Sequence, residues 1–408
     1  MNVNYFMKRQ KIMKKNNFIL NLIFLISFLF SSNDNKEYVV LVSFDGFRHD
    51  YVDRFELPYF EYIEKWGVKA NSLKPIFPSF TFPNHYAIAT GCYADKHKII
   101  GNIFKNELGQ YSYKDKTTVQ DAKWYGAEPI WVTAEKNGLI SATYFWVGSE
   151  APIGGIYPTY YKNYEPGVNP YDKVDKAVDW LQLPLSARPN LVCLYFNEPD
   201  HAGHVYGANS MEVDKQIKVS NEILGYLLSS LTKLDIFDKI NLIILSDHGM
   251  VDVSIDQVIN IDEFNIPGTI DGRGPIMSLK LNDKKKFKIE DLIIPNVSIV
   301  SSVNNKILHY DNSIYDYLLV ADEAWMIYKN EDLIKYNGNL PVIGMHGYSS
   351  DYKSMHAIFY AYGPRFKPGY KVDTFELIHV YPLICDLLQI EPNNNIDGDI
   401  NVLKQILK

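Results

Sequence analysis

Three apolar runs in this chain each lead, directly or after a short turn, into an aspartate. The runs and their aspartates are 39–44 with Asp45, 191–196 with Asp200, and 242–246 with Asp247. Such runs are typical of strands buried on both faces, as in a parallel sheet. Ligands bind such sheets outside the carboxyl ends of the strands. The pattern therefore predicts an α/β protein with acidic side chains gathered at one edge of its sheet.

The charge balance restricts the class of partner. The chain carries a net charge of −7, and residues 1–32 hold five basic and no acidic residues, so the remainder carries −12. An acidic body is unsuited to binding polyanions, and no stable nucleic-acid complex is expected. A small phosphate substrate would need a local positive centre, which bound metal could supply.

The first 32 residues have the basic-then-apolar order of an export signal. The apolar stretch from Phe18 to Phe30 has a length typical of a signal-peptide core and is short for a membrane span. Residues 1–32 are therefore predicted to be a signal peptide or, alternatively, an N-terminal anchor. The protein is expected to be exported (secreted, periplasmic or on the cell surface), with membrane contact only through an uncleaved leader.

Strand and helix patterns alternate along most of residues 37–408. The predicted strands are 38–44, 140–146, 190–196, 240–246 and 355–361, and the predicted helices are 56–66, 83–90, 128–137, 171–182, 211–233 and 376–388. Alternation of this kind favours a three-layer α/β/α sandwich with a mostly parallel central sheet. Residues 252–340 break the rhythm and are predicted to be a small inserted α+β subdomain within one catalytic domain.

Histidines accompany two of the three aspartates at short spacing. Asp247 and His248 are adjacent, and Asp200 and His204 are four residues apart, which places them on one face of a helical turn. The candidate metal ligands are Asp45, Asp200, His204, Asp247, His248 and His346. A mixture of carboxylates and imidazoles suits two zinc ions better than magnesium or calcium, and other divalent transition metals accept similar ligands. Two such ions would clamp a phosphoryl group.

A hydroxyl that could attack phosphorus lies at the start of a predicted helix. Pro83 suits the first helical position, which would make Phe82 the cap and leave Thr81 just outside. A phosphate held there would face the helix amides and the positive end of the helix dipole. Thr81 is thus either a nucleophile activated by metal or only a residue that caps the helix.

Several motifs, in this order, resemble the nucleotide pyrophosphatase/phosphodiesterase family of the alkaline phosphatase superfamily. They are Ser43–Arg48, Thr81–Tyr86, Glu128–Trp131, Phe145–Glu150, Pro199–His204, Ser246–Met250 and His346–Tyr348. The resemblance extends over nearly everything after the leader. It implies an alkaline phosphatase-like fold and hydrolysis of nucleotide phosphodiester or pyrophosphate bonds to nucleoside 5′-monophosphates.

The resemblance also implies a role for each matching residue. It assigns Asp200, His204 and His346 to one zinc, and Asp45, Asp247 and His248 to the other. Thr81 would be the nucleophile, itself a metal ligand, and would form a phospho-threonine intermediate. Asn102 would donate to a non-bridging phosphate oxygen. Phe82 and Tyr164 would sandwich a nucleobase. His85 lies in the motif but is expected to support the loop and not to bind metal.

The chain departs from the family pattern at four places. His201 stands where a small polar residue is usual, Phe80 replaces a frequent lysine, Val147 replaces a proline, and Ser349-Ser350 replace an acidic or amide residue. None of the six candidate ligands departs. The departure at Phe80 removes a possible phosphate contact. His201 is interpreted as a bystander beside Asp200 or, alternatively, as an extra contact near the site.

Three other functions remain open from the sequence. The same metal core could serve a choline-lipid or glycerophosphodiester phosphodiesterase, because an aromatic cage binds quaternary ammonium as readily as a base. A phosphomonoesterase would need additional positive groups, and Asn102 and aromatic residues are found in their place. The remaining alternative is a metal-stabilised surface protein without catalysis, which would leave the hydroxyl of Thr81 without a role.

Overall fold

The apolar runs form the middle of an eight-stranded sheet. The computed structural model describes residues 37–337 and 339–408, so the leader predicted at 1–32 lies outside the described residues. The strands of the central sheet are β1 Tyr38–Phe44, β2 Val68–Ala70, β3 Ser141–Tyr144, β4 Tyr160–Lys162, β5 Leu191–Phe196, β6 Ile240–Leu245, β7 Phe359–Tyr362 and β8 Tyr370–Val372. The spatial order of the strands is β8-β2-β7-β6-β1-β5-β3-β4.

Only β7 in this sheet runs against its neighbours. It pairs antiparallel with β6 and β2, whereas the other pairings are parallel. The strand was predicted at 355–361, but it begins at Phe359 because Ala357 turns away to exchange backbone hydrogen bonds with Leu73. The sheet is therefore mixed but mostly parallel, as the sequence predicted.

Helices cover both faces of the sheet. The α-helices of the described residues are α1 Pro58–Trp66, α2 Thr81–Thr90, α3 Ala94–His97, α4 Lys116–Val119, α5 Ile130–Lys136, α6 Pro170–Leu181, α7 Asp200–Tyr206, α8 Met211–Leu231, α9 Asn330–Lys335 and α10 Val380–Leu388. Alternate residues of β1 point to opposite faces. Val39 and Leu41 join a core with α2, α5 and α10, and Val40 and Val42 join a core with α1, α6 and α8. The three-layer α/β/α sandwich is confirmed.

A third core lies in the region predicted as an insertion. Gly268–Gly272, Ile276–Leu281, Tyr317–Ala321 and Val297–Ser301 form a separate antiparallel sheet, in that order. The remaining short strands are Leu73–Lys74, Ile103–Asn106, Gly109–Ser112, Val251–Asp252, Val258–Asn260, Met326–Tyr328, Gly344–Met345 and Phe375–Glu376. Residues 38–408 nevertheless form one compact unit, and the boundaries 252–340 stay a prediction.

The register of the central strands places their carboxyl ends level with one another. Ser43 of β1 pairs with Tyr195 of β5 on one side and with Leu245 of β6 on the other. The segments that follow these three strands therefore begin side by side, at a single edge of the sheet.

Within the described part of the chain, none of the helices is long and apolar enough to cross a bilayer.

A buried histidine on the α2 side of the sheet makes stability depend on pH. His97 is fully buried, and burial lowers its pKa to about 3. The unfolded chain therefore binds a proton below pH 6.5 that the folded chain does not bind. We expect the free energy of unfolding to fall with acidification, by about 1.4 kcal/mol per pH unit from this group. Urea titrations between pH 6.5 and 5 should show this contribution removed in His97→Gln. The control is His201→Gln, because His201 is exposed. If the free energy of unfolding changed equally with pH in both variants, His97 would not be the group responsible.

Candidate metal centre and active site

Asp45 and the pair Asp247–His248 form the first of two clusters at the carboxyl edge of the sheet. Asp45 follows β1, Asp247 follows β6, and all three residues are buried. His248 Nε2 lies 3.4 Å from Asp45 Oδ1 and 3.0 Å from Asp247 Oδ2. The backbone N–H of Gly46 donates to Asp247 Oδ1 at 3.2 Å, which ties the two strand ends together.

The second cluster consists of Asp200, His204 and His346. Asp200 and His204 lie on α7, and His346 comes from the distant loop after Gly344–Met345. His204 Nε2 lies 3.6 Å from Asp200 Oδ2, and His346 Nε2 lies 3.5 Å from Asp200 Oδ1. The two Nε2 atoms are 3.2 Å apart. The spacing of four residues predicted from the sequence thus brings both side chains of α7 to the same point.

The two clusters adjoin at their histidines. The rings of His248 and His346 are stacked, with centroids 3.6 Å apart and planes inclined by 13°. One potential ligand atom from each of Asp200, His248 and His346 lies within 4.8 Å of the others, as do those of Asp45, Asp247 and His248. The structure therefore brings all six candidate ligands together and places His248 between the two clusters.

The donor atoms of these clusters fit divalent metal ions. Asp45 Oδ1, Asp200 Oδ1 and Asp247 Oδ2 are buried without a well-formed hydrogen bond among the described residues, although imidazole nitrogens lie 3.4, 3.5 and 3.0 Å from them. Buried carboxylate oxygens without a partner are costly unless a cation neutralises them. The Asp and His side chains at this edge could therefore hold metal.

Each of the three histidines presents its Nε2 atom to the clusters. The Nδ1–H groups of His204, His248 and His346 donate to the backbone carbonyls of Gly344, Gly249 and Ser79, at 2.8, 2.9 and 2.8 Å. A carbonyl can only accept, so Nδ1 carries the proton and Nε2 of the neutral ring keeps its lone pair. This arrangement orients imidazoles for metal binding.

Crowding of like charges shifts the protonation of the first cluster. Burial, with Asp247 and Asp200 nearby, raises the pKa of Asp45 well above its usual value. Burial alone would also raise the pKa of Asp247, but His248 and His85 hold it well below the ordinary range. Three carboxylates thus compete for few positive partners, which is the situation that a bound cation relieves.

The imidazoles of the two clusters are shifted in opposite directions. Burial disfavours the charged form of His248, but Asp247 outweighs burial and raises its pKa. Burial and the neighbouring His248 and His204 lower the pKa of His346 well below its usual value. His346 is therefore neutral, as a metal ligand must be.

Two residues that contact the carboxylates were not predicted for this role. The hydroxyl of Tyr195 donates to Asp45 Oδ2 at 2.5 Å. His85 Nδ1 lies 3.1 Å from Asp247 Oδ2, and its Nε2 lies 2.8 Å from Ser43 Oγ. His85 belongs to neither cluster and contacts Asp247, whereas the sequence had led us to expect only support of the loop. The sequence feature that could have indicated Tyr195 was its position near the end of β5, where it pairs with Ser43 of β1.

Thr81 is the first residue of α2, and its hydroxyl faces the metal centre. Thr81 Oγ1 lies 3.2 Å from His248 Nε2, in a side chain that is 9% exposed. The expectation that Phe82 caps the helix is wrong. The cap is Phe80, whose backbone is extended, and its side chain makes no cap hydrogen bond. The Thr81 hydroxyl is therefore directed to the centre and does not cap the helix.

Asn102 lies beside the N-terminus of the same helix. Its Oδ1 accepts the backbone N–H of Phe82 at 2.9 Å, so its amide NH₂ is left to donate elsewhere. The positive end of the α2 dipole at this N-terminus also favours an anion. Thr81, Asn102 and the helix end together form a place suited to a phosphoryl group.

The two predicted base-binding aromatics lie in separate ring groups. Phe82 packs against Tyr111 and Tyr113, with centroids 6.2 and 5.7 Å away. Tyr164 is 39% exposed and packs against Phe145 at 5.0 Å and Tyr195 at 6.4 Å. No ring contact in the described part of the chain joins Phe82 to Tyr164 directly. Burial, Asp45 and Tyr113 raise the pKa of Tyr164 above its ordinary value.

Two of the sequence departures have distinct surroundings. The Phe80 ring meets the edge of His346, with centroids 5.9 Å apart, and lies against Gly347. Phe80 therefore packs against His346 of the second cluster. It lacks the amino group with which a lysine at this position could contact phosphate. His201 is exposed on α7 and belongs to neither cluster.

Comparisons with known proteins place the chain among phosphodiesterases. It is 36% identical over 395 residues to venom phosphodiesterase 2 of Crotalus adamanteus, covering 90% of this chain and 47% of that protein. It is 34% identical to a bis(5′-adenosyl)-triphosphatase of Xenopus laevis, covering 89% of this chain and 80% of that protein. The chain thus spans about half the length of the venom relative.

A solved structure and a family model agree with these relatives. An inactive variant of murine ectonucleotide pyrophosphatase/phosphodiesterase 5 in complex with AMP superposes with a TM-score of 0.84 at 30% identity, covering 91% of this chain and all of that one. The family model matches residues 39–349, which include every candidate site residue. The resemblance drawn from the motifs is confirmed, and the chain belongs to the type I phosphodiesterase/nucleotide pyrophosphatase family.

Proposed function

We propose that this protein is an exported two-zinc phosphodiesterase that hydrolyses nucleotide phosphodiester or pyrophosphate bonds to nucleoside 5′-monophosphates. The observation that carries the proposal is the Thr81 hydroxyl, 3.2 Å from His248 Nε2, at a helix N-terminus among three carboxylates and three imidazoles. The names of the venom and adenosyl-triphosphatase relatives, and the AMP complex of the murine protein, support the substrate class. The leader pattern and the venom relatives support export.

The proposed ligand sets follow the two clusters. Asp45, Asp247 and His248 would hold one ion, and Asp200, His204 and His346 the other, with Thr81 reaching the first. Zinc bound there would act as a Lewis acid toward the phosphoryl oxygens, would favour the ionised threonine hydroxyl and would lower the pKa of water. Other divalent transition metals would also suit these ligands.

The chain's own residues define the two steps of the reaction. Thr81 Oγ1 gives its proton to solvent and bonds to the α-phosphorus, while the bond from phosphorus to the leaving oxygen breaks and that oxygen keeps the electron pair. The Asn102 NH₂ donates to a non-bridging oxygen as negative charge develops there. Water then attacks phosphorus, the bond to Thr81 Oγ1 breaks, and a proton returns to the hydroxyl. The product is a nucleoside 5′-monophosphate, and Phe82 and Tyr164 hold its base.

The products formed from ATP test this function. Attack at the α-phosphorus should give AMP and pyrophosphate, because the nucleoside side of the substrate remains on Thr81. Phosphorus NMR of zinc-loaded protein with ATP would resolve the products. Formation of ADP and phosphate would overturn the proposal, because the enzyme would then act as a phosphomonoesterase.

A further inference from the structure

A buried carboxylate outside the metal centre accepts hydrogen bonds from the two segments that lead to the predicted base-binding rings. Glu150 ends the Phe145–Glu150 motif and is 5% exposed. Its Oε1 accepts the backbone N–H of Tyr164 at 2.7 Å, and its Oε2 accepts the side-chain amide of Gln120 at 3.1 Å. Burial of a carboxylate is costly, and these two bonds offset that cost only while both partners stay in place.

The Gln120 side of this carboxylate leads to the Phe82 group. Gln120 directly follows α4, and the Tyr125 hydroxyl donates to the carbonyl of Val119, the last residue of α4, at 2.8 Å. Tyr125 also shares a hydrogen bond of 3.2 Å with the Tyr111 hydroxyl. Tyr111 in turn contacts the ring of Phe82. A continuous set of contacts thus runs from Phe82 to Glu150.

The Tyr164 side is held by few other contacts. Tyr164 follows β4 in a segment without helix or strand, and its ring is 39% exposed. The ring contacts those of Phe145 and Tyr195, whose centroids lie 5.0 and 6.4 Å away. The hydrogen bond to Glu150 Oε1 ties down the main chain beneath the ring.

We propose that Glu150 is a positioning residue that sets the spacing between Tyr164 and Phe82 and so determines affinity for the base of a nucleotide. The inference rests on the proposed function, because it requires a base between these two rings. Glu150 does not touch the reacting atoms. It acts through Tyr164, and its loss should weaken binding of substrates that carry a base and leave the chemical step intact.

The test compares a substrate with a base and one without. The p-nitrophenyl ester of TMP carries a base, and methyl p-nitrophenyl phosphate does not. Stacking of one base contributes roughly 5-fold to 100-fold in affinity, so Glu150→Ala should raise KM for the TMP ester within this range. Its kcat should stay within about twofold, and kcat/KM for the methyl ester should be unchanged. Glu150→Gln keeps an acceptor for Tyr164 N–H and should restore most of the affinity. The new NH₂ group can donate to Gln120, because the Gln120 amide can rotate so that its oxygen accepts.

A double-mutant cycle separates positioning from a general structural role. Once Tyr164→Ala has removed the ring, adding Glu150→Ala should raise KM for the TMP ester no further. Independent effects of the two substitutions would overturn the inference, as would an equal loss on both esters. Gln120 is exposed, so Gln120→Ala provides a milder variant that should fold and should raise the same KM about twofold or more.

Failure of the inference and failure of the proposed function give different results. A wild-type enzyme that prefers the TMP ester, together with Glu150→Ala and Gln120→Ala variants that keep this preference, would overturn the positioning role alone. A wild-type enzyme that hydrolyses both esters equally would overturn the proposed nucleotide specificity, and the role of Glu150 with it.

Discussion

Thr81→Ala should reduce kcat/KM for nucleotide substrates by about 10³-fold or more, because it removes the atom that bonds to phosphorus. The side chain makes no helix cap and is small, so its loss should cost little stability. Thr81→Ser keeps a hydroxyl at the same point and should retain measurable turnover. Steady-state kinetics on the p-nitrophenyl ester of TMP would give both values.

The control for this substitution is the metal content of the protein. Thr81→Ala should keep the full set of ions, because the six Asp and His ligands remain, and should melt within a few degrees of the wild type. Activity in Thr81→Ala within tenfold of the wild type would contradict the assignment of the nucleophile. A protein that binds metal without catalysis would show no difference between Thr81→Ala and Thr81→Ser in any measurement.

Removal of metal should abolish activity and also lower the melting temperature. Burial, together with the nearby Asp247 and Asp200, raises the pKa of Asp45, so these carboxylates repel one another when no cation is bound. Ligand present at 1,000 times its Kd stabilises a fold by about 4 kcal/mol. Dialysis against a chelator, followed by calorimetry and activity assays, would measure both effects.

Restoration with a chosen metal provides the control for chelation. Zinc should restore the activity and the melting temperature together, and calcium should restore neither, because imidazole ligands do not suit it. Metal analysis should give two zinc ions per chain. Full activity in protein shown to be metal-free would contradict the metal centre.

The sequence predicted the parts of this site that depend on local pattern. Apolar runs define the central strands, and strand direction then dictates that Asp45 and Asp247 meet at one edge. The spacing of Asp200 and His204 is equally local, because one helical turn brings such residues to one face. These features needed no knowledge of how distant segments pack.

The remaining parts depend on contacts between segments far apart in the chain. The stacking of His248 on His346 and the bond from Tyr195 to Asp45 follow from tertiary packing, which no local spacing encodes. The start of β7 was likewise misplaced, since it depends on the pairing of Ala357 with Leu73. The cap of α2 was misassigned because Pro83 is tolerated anywhere in the first turn, where backbone N–H groups have no helical partner.

The carbonyls that accept from the three candidate ligand histidines have a consequence for the protein's evolution. All three belong to the main chain, so no single amino-acid replacement can delete an acceptor. Side chains added at Gly249 or Gly344 would collide with neighbouring backbone atoms and would act only by moving the chain. The path of the backbone therefore determines which nitrogen of each imidazole carries the proton. Lineages of this fold can exchange the residues that meet the substrate while each histidine keeps the same nitrogen available to metal.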